Sequence, residues 1–482
     1  MAVAALVALG GIVQANDTFA ASGSGPWDAA ARLAEAPDTN PDPHIVEINL
    51  EAKIAEVETS PGQRVPAWTY NGGLPGPLIR VNVGDRLIVH FTNSLPQPTT
   101  VHWHGMRIPI QMDGVPGVSQ PDVKPGGTFT YDFVVPDAGL YWYHPHVMSA
   151  AQVGFGLYGA LLVEDPKEAS SLEEVVMVLS DIDVDDHGKL EDPETGGSTG
   201  MAFGREGNRV LVNGREQPTL MARNGVPQRW RIVNAAKSRY FEVDPDGMRF
   251  RTVGGDGGLQ EAPVDSDTIV IAPGERIDTI VTPTPKTADT RGVDYRLFNR
   301  GYGSIEARIP IVPLFTIRFE DGPPAAPVAI PDLRRPITPL STAGARDVHV
   351  ELTIAQRSDG VFEYGINNVP FQKDHAFTAK PGETQIWTLV NSTSWSHPFH
   401  IHGFFFQVLD ERGEPVKPLA WKDTVDVPFK STVRIVVRFD EDRPGAWMFH
   451  CHVLDHADGG LMGTVLVGVP VSDAETPPTH HH

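Results

Sequence analysis

Ten histidines of this chain fall into four short runs: His102-Trp103-His104, His144-Pro145-His146, His397-Pro398-Phe399-His400-Ile401-His402, and His450-Cys451-His452 with His456 close behind. Each run holds a His-x-His pair. On an extended strand, residues i and i+2 point to the same side, so each pair can offer two imidazoles to one face. Four pairs supply eight rings, which suits neighbouring metals or one shared cluster. A single pair arises easily by chance; four pairs at matching places in a repeat do not. Imidazole-rich sites take zinc, copper, iron or nickel.

Cys451 narrows that choice. It is the only cysteine, so no internal disulfide can form and a disulfide-stapled scaffold is excluded. Its side chain points away from those of His450 and His452. On that opposite side it can join His397 and His456. Two imidazoles and one thiolate in a trigonal set, with a weak or absent axial group, make a blue-copper electron-transfer site. A structural zinc site would want four protein ligands and more cysteine. The plainer alternative for a lone cysteine is an inert buried thiol.

The elements that carry these runs repeat. Val81 to Ser94 (VNVGDRLIVHFTNS), Ala222 to Ala235 (ARNGVPQRWRIVNA) and Ala379 to Ser392 (AKPGETQIWTLVNS) share one Gly-to-Asn spacing, with apolar and polar residues alternating between. That alternation predicts a strand with one buried face. Each copy follows an Asn turn: Asn71-Gly72, Asn213-Gly214 and Asn367-Asn368. The copies lie a domain's length apart. A second echo, Gly139 to His146 against Gly445 to His452, links the outer units alone. The middle unit has no His-x-His pair, so the outer two must meet face to face to pool their ligands.

The 482 residues include 47 glycines and 43 prolines, a composition of turns and short strands rather than long helices. The expected fold is all-β: three consecutive Greek-key β-sandwiches, at 44–166, 173–320 and 348–471. A Pro-rich linker (321–347, with six prolines from Pro323 to Pro339) precedes the third. Asp185 to Gly200 reads as a surface loop. Residues 1–43 form an N-terminal extension, and 472–482 a tail ending in a purification-tag remnant, His480 to His482. Met1 to Ala15 reads as the apolar core of an export signal, with Ala20 and Ala21 near a cleavage site, or as a vector-derived or buried tail. A periplasmic or secreted protein follows from the first reading. No other stretch approaches membrane length. The net charge of −22 excludes a nucleic-acid partner, and a monomer is expected.

The four runs HWHG (His102–Gly105), HPH (His144–His146), HPFHIHG (His397–Gly403) and HCHVLDHADGGLM (from His450) resemble the copper signatures of multicopper oxidases. Within that family they are most similar to three-domain bacterial laccases and copper-efflux oxidases. The resemblance covers about 44–471. It implies cupredoxin domains and four coppers. His397, Cys451 and His456 would hold the type 1 ion, and His102 and His400 the type 2 ion. His104, His144 and His452 would hold one type 3 ion; His146, His402 and His450 would hold the other. It further implies that His456, with its ring edge near the surface, receives electrons from the donor. O2 would then be reduced to water at the other three ions. Expected donors are phenols and aromatic amines. Oxidation of Cu(I) is the alternative, although the ten methionines form no methionine-rich tract.

Departures from the family pattern are informative. The axial position over the type 1 ion falls on Leu461, a non-ligand, with Met462 as its rival. Asp113 matches an acid that bacterial relatives place beside the three-copper cluster, where it could relay protons; an ordinary Asp-Gly turn is its alternative. Where many relatives carry a glutamate after the last type 1 histidine, this chain has Ala457 and then Asp458. Asp423 and Asp426 are expected near the type 1 site or at a solvated strand end. Trp103, Trp142 and Trp447 are expected to pack rather than relay electrons. His90, His187, His349 and His375 have no partner at ligand spacing.

Overall fold

The computed structural model describes residues 32–285, 292–298, 312–320, 328–371 and 376–470. Met1 to Ala15, Ala20, Ala21, Pro323, Pro324, Pro327, His375, Val471 and the terminal histidines lie outside the described residues. Six sheets pair into three cupredoxin-like sandwiches laid end to end along the chain. Each unit starts the same way. Ile45–Ser60 runs parallel to Arg86–Asn93, Glu173–Ile182 to Gln228–Asn234, and Arg346–Gln356 to Thr384–Asn391.

The repeated asparagines explain that recurrence. Asn71, Asn213 and Asn367 all sit at positive φ (53°, 51° and 54°), which asparagine tolerates. Each accepts, through its side chain, a backbone N–H of the unit's first strand: Glu51, Val178 and Glu351 respectively. At the far end Asn93 and Asn234 tie two backbone carbonyls each and Asn391 three, including those of Val123, Ile271 and Val427. These amides satisfy backbone groups that would otherwise be buried without partners.

Register brings the histidine runs together. In the first unit His102–His104 pairs with Gly139–His144, setting His102 opposite His144 and His104 opposite Trp142. In the third unit His397–Ile401 pairs with Gly445–Cys451, setting His400 opposite His450 and Phe399 opposite Cys451. Trp103 packs in the first core and Trp447 in the third, with Cys451 and Leu461. Among the described residues three short α-helices complete the frame: Ser149–Gly154 just after His146, Gly197–Phe203 in the second unit, and Leu454–Asp458, which carries His456. The third packs against the other two.

Candidate metal centre

Cys451 Sγ lies 3.4 Å from His397 Nδ1 and 3.6 Å from His456 Nδ1, and the two nitrogens are 3.1 Å apart. The three atoms form a near-equilateral triangle, wholly buried. His397 Nε2 donates to Thr393 Oγ1 at 2.7 Å, so Nδ1 is the nitrogen left with a free lone pair. Burial lowers His397 to about 3 and holds it neutral, the form that binds a metal. Burial also pushes the Cys451 thiol up, so a cation in the triangle is what would favour its thiolate. Cys451 N–H donates to the Leu461 carbonyl. Met462 stands directly opposite His450 in the antiparallel pair, on the side away from Cys451. Strand alternation therefore leaves Leu461 on the thiol's side.

The second site gathers eight imidazoles, four from each outer unit. His102 stacks on His402 and His104 on His400, both with ring centroids 3.9 Å apart. His450 Nε2 lies 3.1 Å from His402 Nε2 and 3.4 Å from His146 Nε2. Four of the rings have their outward nitrogen occupied. His102, His144, His400 and His450 donate from Nδ1 to the carbonyls of Asp113, Pro145, Asp423 and Cys451. The inward nitrogens of His102, His104, His144 and His400, and both of His452, are buried without hydrogen-bond partners. Buried lone pairs that converge in this way are costly unless a cation receives them. Three trios have ligand atoms mutually within 4.8 Å: His102, His400 and His402; His102, His104 and His144; His146, His402 and His450. Trp142 stacks on His144 beneath the cluster.

Two buried carboxylates brace these rings. Asp113 Oδ2 accepts from His402 Nδ1 at 2.8 Å, and Asp113 Oδ1 lies 3.4 Å from His102 Nδ1. Burial pushes its carboxyl up, but the charges and hydrogen bonds of His402 and His102 outweigh that and hold it well below the usual range. The Asp-Gly turn is present too: Gly114 has φ +82°, and an added Cβ would strike the Val101 carbonyl. Asp423 Oδ1 lies 3.3 Å from His104 Nε2 and 3.4 Å from His400 Nδ1. Asp423 therefore serves the eight-histidine site and not the Cys451 site, correcting the expectation from sequence. Asp426 stands opposite Pro398, on the strand face that carries His400 rather than Cys451, and accepts from Tyr240 Oη at 2.8 Å.

One further expectation is corrected. His456 shows no ring edge to solvent; it is 0% exposed. The stretch expected as a surface loop forms mostly exposed turns over 185–196 and then continues into the Gly197–Phe203 helix, which packs on the helix that carries His456. Ala202 is buried there, and its carbonyl accepts from Tyr364 Oη at 2.7 Å while the Tyr364 ring packs 4.5 Å from His456. Gly204, at φ +76°, lets the backbone turn against Val453 and Ser238. Arg205 then pairs with the buried Asp455, the residue before His456. Local sequence pattern gives no hint of this contact, because its partners lie 250 residues apart. Asp458 directs its carboxylate to the Ala150 N–H at 2.8 Å. His90, His187 and His349 lie exposed, away from both sites.

Multicopper oxidase domain models match residues 51–168, 173–303 and 344–471. The chain is 32% identical to the multicopper oxidase MmcO of Mycobacterium tuberculosis, covering 92% of this chain and 90% of that protein. It is 27% identical to Laccase-1 of Botryotinia fuckeliana, over 82% of this chain and 77% of that one. A multicopper oxidase from Campylobacter jejuni, described as a metallo-oxidase, superposes with TM-score 0.78 at 26% identity, covering 90% and 94% of the two chains.

Proposed function

This chain belongs to the multicopper oxidase family, and from that premise we propose that it is a laccase-like enzyme using four copper ions. His397, Cys451 and His456 hold the type 1 ion under the non-coordinating Leu461, and His102 and His400 hold the type 2 ion. His104, His144 and His452 hold one type 3 ion; His146, His402 and His450 hold the other. Bound copper supplies one-electron acceptance at the Cys451 site and the reduction of O2 to water at the eight-histidine site.

The observation that supports this reading best is the tripeptide His450-Cys451-His452. Its middle residue belongs to the buried thiol triangle and both neighbours to the eight-ring cluster, where the His452 ring packs against His104, His144 and His400. One strand thereby joins the place where an electron arrives to the place where it is used. Asp113 fixes His402 and His102 and is a carboxylate within reach for handling protons there. Aromatic donors such as phenols and aromatic amines fit best, since outer-sphere transfer demands no covalent fit. A periplasmic or secreted, monomeric protein is the accompanying proposal.

Oxidation of Cu(I) is the second reading. It is favoured by Met201, whose soft thioether lies against Gly459, three residues past His456. Metal analysis, with O2 uptake compared between a phenolic dye and Cu(I), tests both. Four coppers per chain with faster phenol turnover supports the first reading; faster Cu(I) turnover supports the second. Uptake with neither donor refutes both.

A further inference from the structure

The second unit contributes no histidine to either site, yet its Arg276 reaches the cluster. The side chain is wholly buried and uses all five guanidinium N–H donors. Nε donates to the Leu140 carbonyl at 3.1 Å in the first unit. Nη1 donates to the Gly274 carbonyl at 2.9 Å and to Asp423 Oδ1 at 2.8 Å. Nη2 donates to the Asp256 carbonyl at 2.9 Å and to Asp423 Oδ2. One side chain therefore fastens all three units at a single point, with a two-pronged grip on the Asp423 carboxylate.

The surrounding residues leave room for that grip and little else. Gly105, the glycine of HWHG, has φ +85°, and an added Cβ would fall between Arg276 Nη2 and Asp423 Oδ2. Gly274, two residues before Arg276, lies so close to His452 that a Cβ would touch its ring at 2.8 Å. Lys422 and Arg276 flank Asp256, which also accepts the Arg276 backbone N–H.

Asp423 in turn meets the two stacked rings. With its Nε2 facing Asp423, His104 offers Nδ1 inward, whereas His400 offers Nε2. We propose that Arg276 is a positioning residue for the three-copper site. By holding the Asp423 carboxylate from behind, it fixes which nitrogen His104 and His400 present to metal. This rests on the ligand assignment proposed above.

The test uses the full-length, copper-loaded protein. Copper per chain is measured by metal analysis, affinity by chelator competition, and the two site types by the blue thiolate band and the type 2 EPR signal. The variants are Arg276→Gln, the double variant Arg276→Gln/Asp423→Asn, and Arg229→Gln. The double variant leaves no buried charge unpaired and so folds where the single one does not. Arg229, paired with Asp278 in the same unit, touches neither site and reports on general damage to that unit. Expected are an unchanged blue band in the double variant, a changed type 2 signal, and about 10- to 100-fold weaker binding of the three-copper set. Arg229→Gln keeps all four ions. Wild-type affinity and an unaltered type 2 signal in the double variant would overturn the proposal, as would equal copper loss in Arg229→Gln. A wild-type protein unable to take four coppers would instead sink the ligand assignment beneath it.

Discussion

Leu461 is the residue with the clearest electronic consequence. Its position on the thiol's side of the sheet, with Met462 turned away, puts a hydrocarbon where a thioether could coordinate. Losing an axial sulfur favours Cu(I), so Leu461→Met is expected to lower the type 1 potential, as measured by redox titration of the blue band. Asp458 makes a different prediction. Burial raises its pKa to about 7, against the weaker opposing pull of the Ala150 N–H. A carboxyl raised above its unfolded value binds a proton on folding, so it costs stability as pH climbs from about 4 through 7. Asp458→Asn keeps an acceptor for Ala150 and removes that cost. Its melting temperature should exceed wild type at pH 8 and match it at pH 4.

At the scale of elements, the Gly197–Phe203 helix decides how a donor approaches. It is held by Arg205 on Asp455, whose side chain is completely buried. Removing Arg205 costs less than the roughly 3–5 kcal/mol of a fully stranded buried charge, because Lys237 Nζ at 3.9 Å and the Ser238 hydroxyl still face Asp455. Arg205→Ala should therefore loosen the helix over His456. The expected result is a rise in kcat/KM for bulky donors relative to small ones, with the blue band unchanged. The strands themselves were readable beforehand. Alternation and Asn turns marked the three copies, and His-x-His spacing named the eight rings of the cluster. Arg276, the role of Asp423 and the covering helix were not readable. Each depends on which loop of one unit seats against another, and the contacts join residues 147 and 250 positions apart. Periodicity tells which face a residue takes; it carries no information about the neighbour that face will meet.

For the whole molecule, the two sites place many neutral rings in the interior. Burial lowers both His397 and His402 to about 3. A base depressed below its unfolded value of about 6.5 lends stability above that pH, and the contribution drains away as pH falls toward 3. Copper-free protein should accordingly lose melting temperature steeply between pH 6.5 and 4. Copper that binds the folded chain in preference to the unfolded one stabilises it, by at most about 4 kcal/mol at about 1,000 times Kd. Calorimetry of the loaded and stripped forms across that pH range checks both effects.

The eight rings come from stretches near the two ends of the polypeptide, with the second unit and the proline-rich connector between them. During synthesis the first sandwich can fold with only half a binding site, open on the side where its partner will sit. A prematurely released chain owns that half and no thiol. Tight capture of copper is thus reserved for molecules in which the third sandwich has been made, and metal loading reports that it has joined the first.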